Sequence, residues 1–142
     1  MTNALFAPAR EGFLAGEVDW DTGVIKTALV RGYTFSAAHK FVSDVTGAGG
    51  TLHATSAALG SKTVTDGVAD AADVTFTAPS ANANNHSLLV FQASAVTGGA
   101  DVAASAQRVI AWIDTGTNLP IVPDGGDVRV SWDNGANRIF KL

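Results

Sequence analysis

The last nineteen residues, Asp124 to Leu142, constrain the fold of this chain more than any other segment. Apolar and polar residues alternate there, with the apolar positions at Val128, Val130 and Trp132. A period of two is typical of a strand with one buried face. Residues 133–135 (Asp-Asn-Gly) tolerate positive φ and predict a hairpin turn. We therefore expect a closing hairpin whose return strand, running to the final residue, is held in a sheet.

Length and composition predict one β-rich domain spanning residues 1–142. Asp greatly outnumbers Glu, and 15 glycines are scattered along the chain. Helix surfaces favour Glu and Lys, whereas Asp and Gly favour turns. The expected fold class is all-β: an antiparallel β-sandwich or Greek-key barrel with one or two short helices near the N-terminus.

Short apolar segments between turn signals predict the individual elements. Strands are expected over residues 24–30, 51–59, 62–65, 74–77, 88–93 and 108–114. The segments 62–65 and 74–77 would form a hairpin or two adjoining strands. Residues 24–30 are apolar on both faces and predict a central strand. Helices are expected over residues 8–15, from Pro8 to a stop at Gly16, and over residues 37–45, with Ser36 as the N-cap.

Charge and cysteine content argue against several classes of protein. The net charge is −4 and no basic cluster occurs, so we expect no nucleic-acid partner. The sequence contains no long apolar run, so no membrane span is expected. The first ten residues lack the basic and apolar pattern of a secretory signal. Without cysteine there are neither disulfides nor thiolate metal sites, and synthesis in a cytoplasm is expected.

The residues that could carry chemistry are dispersed. The histidines are His39, His53 and His86, and no two have the spacing of a helical zinc site. Asp66, Asp70 and Asp73 form an acidic cluster without the ligand order of a calcium loop. No Gly-x-Ser-x-Gly nucleophile motif occurs. We therefore predict no catalytic residue, no metal site and no cofactor, although a hydrolase remains the least favoured alternative.

Aromatic side chains offer an alternative function. Trp20, Tyr33 and Trp112 could form a flat platform for a sugar ring. With one Tyr and three Trp in the chain, core packing is the default interpretation of these residues. A carbohydrate-binding module is therefore kept as an alternative from another functional class.

Several segments resemble a known group of proteins. Residues 114–142 are similar to the C-terminal end of small structural proteins of tailed bacteriophages, and residues 24–30, 36–45, 62–67 and 72–76 also look like that family. The resemblance implies a non-enzymatic virion protein, made in the host bacterial cytoplasm. The leading expectation is a capsid decoration (cement) protein that binds the outer head surface. A tail, neck or receptor-binding component is the alternative.

The same resemblance implies partners. They would be the major capsid protein or other virion proteins, together with further copies of this chain in a homo-oligomer such as a trimer. The N-terminal amphipathic segment supplies the candidate contact residues Leu5, Phe6, Phe13 and Leu14. The segment could equally cover the open end of the β-domain, and the sequence leaves both possibilities open.

Overall fold

The structure, a computed structural model, describes residues 3–142 and consists mainly of antiparallel strands. The strands in this range are β1 (Ala4–Leu5), β2 (Val24–Arg31), β3 (Thr51–Thr55), β4 (Val68–Ala69), β5 (Val74–Phe76), β6 (Ser87–Ser94), β7 (Arg108–Ile113), β8 (Val128–Val130) and β9 (Phe140–Lys141). The helices are α1 (Ala7–Ala15) and α2 (Val42–Gly47). The prediction of a β-rich antiparallel fold with two short helices is confirmed.

A five-stranded sheet in the order β1-β7-β6-β2-β3 forms the centre of the molecule. Each strand runs antiparallel to its neighbours. The eight-residue strands β2 and β6 pair along their length, and most of their side chains are buried. Burial on both faces explains their continuous apolar sequence. The prediction that residues 24–30 form a central strand is therefore confirmed.

One face of this sheet, here called the ribbon face, packs against two pairs of very short strands. β4 pairs with β9, and β5 pairs with β8. Their apolar side chains share a core with Ile25 and Leu29 of β2 and with Leu88 and Val90 of β6. Trp20 belongs to the same core.

The opposite face, here called the helix face, packs against both helices. Its core contains Phe6 and Ala9 from the start of α1, and Val42 and Val45 from α2. They contact a set of side chains that alternates with the ribbon-face set: Val24, Ala28, Val30, Leu89, Phe91, Ala93, Val109 and Trp112. The sheet therefore separates two cores, and successive residues of β2 enter them alternately, as its sequence predicts.

A β-bulge in β7 breaks this alternation. Val90 pairs with Ala111 and Phe91 pairs with Val109, which leaves Ile110 as an extra residue. Ile110 and Ala111 both lie on the ribbon face, while Val109 and Trp112 lie on the helix face. Strict alternation along the predicted strand 108–114 places Trp112 together with Ile110, opposite Val109. That prediction is wrong, because a bulge inserts one residue into the period of two.

A second bulge lies in the edge strand β3. Leu29 pairs with Ala54 and Val30 pairs with Leu52, so His53 is the extra residue. Ala54 packs on the ribbon face and Leu52 on the helix face. The strand ends at Thr55, earlier than the predicted residue 59, and Ser56 continues with one backbone bond to Thr27.

The predicted closing hairpin is wrong. β8 and β9 do not pair with each other; β8 pairs with β5 and β9 with β4. Trp132 lies beyond the end of β8, because its backbone N–H donates to the Asp73 carboxylate instead of continuing the ladder. The final residues are nevertheless held in a sheet, since the backbone N–H of Leu142 donates to Gly67.

Two other predicted elements differ. The second helix begins at Val42 and not at residue 37, because Phe41 is extended and forms a bridge with Arg108 of β7. The Asp44 carboxylate accepts the backbone N–H groups of Lys40 and Phe41, which lowers its pKa. Segments 62–65 and 74–77 do not pair; Thr63 bridges Asp70.

Candidate interaction surface

The structure brings together two of the three histidines. The rings of His53 and His86 lie 4.8 Å apart, whereas His39 contacts Tyr33, with 2.7 Å between the hydroxyl and Nδ1. Burial raises the pKa of Tyr33, so this hydroxyl is not activated as a nucleophile. Within residues 3–142, no three histidine or carboxylate side chains are grouped so that they could hold a metal ion.

The acidic segment around residues 70–73 holds the two tryptophans of the ribbon-face core. The indole N–H of Trp20 donates to the carbonyl of Asp70, and that of Trp132 donates to the carbonyl of Ala72. The Asp73 carboxylate accepts the backbone N–H of Trp132 and pairs with Arg129 at 3.2 Å. The bond from Trp132 and the bond from Arg129 lower the pKa of Asp73. The Asp73 carboxylate therefore has structural partners within the fold.

The proposed sugar platform is wrong. Trp20 and Trp112 are each only 4% exposed, and they lie in different cores on opposite faces of the sheet. Tyr33 is half-buried with its ring edge-to-face against Trp112. A sugar-binding platform needs flat aromatic faces that are open to solvent, which these three residues do not provide.

A wide cavity of about 830 Å³ opens on the ribbon face between the loop of residues 115–122 and strand β8. Charged side chains line its rim, but most of them already have partners. Arg129 pairs with Asp73, Arg138 lies 3.5 Å from Asp70, and Asp127 accepts the backbone N–H of Ala78. Three of the charged side chains at this cavity therefore already have partners within the fold.

A second opening is apolar, and we call it the α1 groove. Its volume is about 230 Å³. It is lined by Phe13, Gly16, Val18, Asp19, Trp20, Asp21, Val64, Gly67, Val68, Ala69, Phe140 and Leu142. Aromatic rings form its floor: Phe140 lies 5.7 Å from Phe13 and 5.1 Å from Trp20, measured between ring centres.

The end of α1 fixes one wall of this groove. The helix stops at Gly16, whose φ of +74° is favourable only for residues such as glycine. Val18 then turns back, and its N–H donates to the carbonyl of Gly12. Arg108 of β7 donates to the carbonyl of Pro8 and forms an ion pair with Glu17. These contacts hold α1 against the sheet and thereby fix the position of Phe13, which lies on this helix.

The rim of the α1 groove is acidic on one side. Asp19 and Asp21 both line it, and Lys62 acts electrostatically on Asp19. The Thr22 hydroxyl and the Thr22 backbone N–H both donate to the Asp19 carboxylate, and these bonds lower its pKa. Asp19 therefore stays ionised. The groove suits an apolar side chain that is followed or preceded by a basic one.

The four predicted contact residues fall in different environments. Phe6 is completely buried in the helix-face core and Leu5 is buried in the ribbon-face core, so neither offers surface to a partner in this fold. Phe13 is half-buried in the groove. Leu14, next to it, is 91% exposed. The contact surface available on this segment is therefore its second half.

Sequence reasoning missed the other half of the groove. Val64 and Leu142, which line it, are both more than half exposed, and Phe140 lies in its floor. These residues come from segments far from α1 in the chain. Leu142, as an apolar final residue, was the one visible signal.

Comparison with family profiles, with curated proteins and with solved structures gave no match to this chain. Across residues 3–142, no helix is long and apolar enough to cross a membrane.

Proposed function

We propose that this chain is a non-enzymatic structural protein of a tailed-bacteriophage virion, acting as a decoration protein on the outer surface of the head. The proposal is supported by the sequence segments that resemble such proteins. The observation that carries it is the apolar α1 groove itself, whose lining residues Val64 and Leu142 are more than half exposed, together with the nearly complete exposure of Leu14, which follows the lining residue Phe13 in the chain. Exposed apolar side chains around an apolar opening are typical of a protein–protein contact site.

The mechanism would be attachment by shape and apolar burial. Each Å² of apolar surface removed from water contributes about 25 cal/mol. The occupant that fits is an apolar side chain of the major capsid protein with a Lys or Arg beside it, since Asp19 and Asp21 stand at the rim. Bridging neighbouring capsid subunits would add interface area that resists the outward pressure of packaged DNA.

Two further parts belong to the same proposal. The short strand pairs would act as the second layer of a β-sandwich that gives the molecule its rigidity. Further copies of the chain would assemble into a homo-oligomer, for instance a trimer, so that several α1 grooves engage the particle together. The mass of the purified protein in solution tests the oligomer directly.

The composition of purified phage particles tests the assignment. A decoration protein should be present in a copy number comparable to that of the major capsid protein, and quantitative mass spectrometry measures that ratio. Only a few copies per particle would instead support a tail, neck or receptor-binding component. Absence of the chain from particles would overturn the proposal.

Substitution of an exposed groove residue tests the surface. Val64 lines the α1 groove and is more than half exposed, so Val64→Asp should weaken binding of the purified protein to undecorated heads by about tenfold or more, because a carboxylate would be desolvated in an apolar contact. Val96→Asp is the matched control: Val96 is also exposed, but it lies outside the α1 groove. Equal binding by the two variants, both folded, would contradict the role of the α1 groove.

A further inference from the structure

His86 occupies an unusual position for a titratable side chain. It is completely buried, yet it lies immediately before β6, directly after the loop of residues 79–85. Its Nδ1 is 2.8 Å from the carbonyl oxygen of Asn84, and its Nε2 is buried with no protein partner. A carbonyl can only accept, so Nδ1 carries the hydrogen and Nε2 keeps the lone pair of a neutral ring.

The groups around this ring are basic. His53, turned by the bulge in β3, lies 4.8 Å away between ring centres, and its Nε2 is 2.8 Å from the carbonyl oxygen of Ser80. Arg31, at the end of β2, also acts electrostatically on His86, and its Nε is buried without a partner. Within residues 3–142, no carboxylate pairs with any of the three. A metal cation here would face the same Arg31 charge.

The two histidines hold one segment of chain. His53 binds it from β3 at Ser80, and His86, itself the last residue of the segment, binds Asn84 within it. The backbone of His86 exchanges two hydrogen bonds of 2.8 Å with Ile121, and Asn82 donates to the carbonyl of Pro123. Segment 80–86 is thereby fastened both to the edge strand β3 and to the loop of residues 119–123.

We propose that His86, together with His53 and Arg31, forms an acid-sensitive latch that holds segment 80–86 against β3 at neutral pH and releases it on acidification. A proton on Nε2 would have no acceptor in the closed position and would stand beside Arg31 and His53. The ring can accept this proton only by leaving its site. Because the residues of the α1 groove take no part, the latch is independent of the proposed attachment.

The direction of the pH effect follows from the same contacts. Burial lowers the pKa of His86 below the ordinary 6.5; the backbone groups of Asn84 and Ile121 oppose this, and the charges of His53 and Arg31 add to it. The released ring binds a proton more readily than the closed one. The closed state is therefore fully favoured above about pH 6.5, and its equilibrium constant falls about tenfold for each pH unit below that value until the lowered pKa is reached.

Amide hydrogen exchange of the full chain tests the latch. Between pH 7.5 and 5.5, protection factors of the His86 and Ile121 amides should fall about tenfold after correction for intrinsic exchange. The amides in the middle of β6 should keep theirs. Constant protection at His86 and Ile121 would overturn the proposal, and so would a parallel loss in β6, which would indicate global unfolding.

Substitution separates His86 from other titrating groups. In His86→Asn, which keeps a side-chain N–H toward Asn84 but cannot take the proton, the pH-dependent loss should disappear. In His39→Asn, the matched control remote from segment 80–86, it should remain. If His86→Asn does not fold, ring ¹⁵N shifts of the unsubstituted protein decide: protonation of Nε2 in the closed state would overturn the latch.

Discussion

The two faces of the five-stranded sheet are closed in different ways. The helix face is covered by α1 and α2, which come from the first third of the chain and pack as whole turns of helix. The ribbon face is covered by strands of two or three residues joined over long distances in sequence; Trp132 and Asp73, for example, are bonded although they are 59 positions apart. The wide cavity and the α1 groove are both lined in part by ribbon-face core residues.

The difference indicates where binding surface arises in such a fold. A helix brings a continuous apolar stripe and covers a sheet completely. Short paired ribbons satisfy their backbone groups but leave gaps at their ends, where apolar floor residues such as Phe140 stay close to solvent. We therefore expect the ribbon face to be the more tolerant of change and the better site for a partner.

The largest expected effect comes from one leucine on each face of β6. Leu89→Ala, on the helix face, should lower the free energy of unfolding by about 3–5 kcal/mol, because the surrounding side chains are fixed and a cavity remains. Leu88→Ala, on the ribbon face, should cost only about 2–3 kcal/mol, since Leu88 lines the wide cavity and its neighbours can move inward. Urea denaturation of both variants measures the difference. Equal losses would show that the two faces are equally rigid.

A smaller effect is expected where α1 meets the sheet. A Cβ at Gly12 would lie 2.5 Å from Nη2 of Arg108 and 2.6 Å from Cγ2 of Val18. Gly12→Ala should therefore lower the free energy of unfolding by about 1–3 kcal/mol through overpacking. Gly47→Ala in α2 is the control: nothing lies within 4 Å of its added Cβ, and helix propensity alone should stabilise by up to about 1 kcal/mol. A stabilising Gly12→Ala, measured by thermal unfolding, would contradict tight packing of α1.

The smallest effect should come from the indole bonds of the ribbon face. Trp132→Phe removes the 3.1 Å bond to Ala72 and should cost about 1 kcal/mol beyond its loss of apolar area. Trp20→Phe removes a longer bond of 3.3 Å to Asp70 and should cost less. Both substitutions replace Trp with Phe, so the difference between their denaturation midpoints measures the difference in strength between the two indole hydrogen bonds. A larger loss of unfolding free energy for Trp20→Phe than for Trp132→Phe would contradict this expectation.

Local sequence signals predicted the elements whose partners are nearby or whose two faces are both buried. Pro8 and Gly16 bounded α1 within one residue, because caps and fixed dihedrals act locally. The alternation over residues 24–30 assigned both faces of β2. The strands at 88–93 and 108–114 were also found, as β6 and β7.

What the sequence could not predict depends on distant partners. The turn signal at residues 133–135 favoured a hairpin, but the Asp73 carboxylate competes for the backbone of Trp132 and redirects the chain. Phe41 has helical neighbours in sequence but bridges Arg108. For the candidate site, Phe13 and Leu14 were predicted, whereas Val64 and Phe140 were not, since no local pattern shows that they meet α1.

Because of its bulge, β7 contains one residue more than its pairing with β6 requires. Between Val109 and Trp112 stand two residues where regular pleating needs one, so deletion of Ala111 would restore strict parity and leave Val109, Ile110, Trp112 and Ile113 on their present sides. Deletion of Ala28 from the unbulged centre of the β2–β6 ladder would instead move every later side chain of that strand to the opposite face of the sheet. We therefore expect the protein to keep its fold after deletion of residue 111 and to lose it after deletion of residue 28.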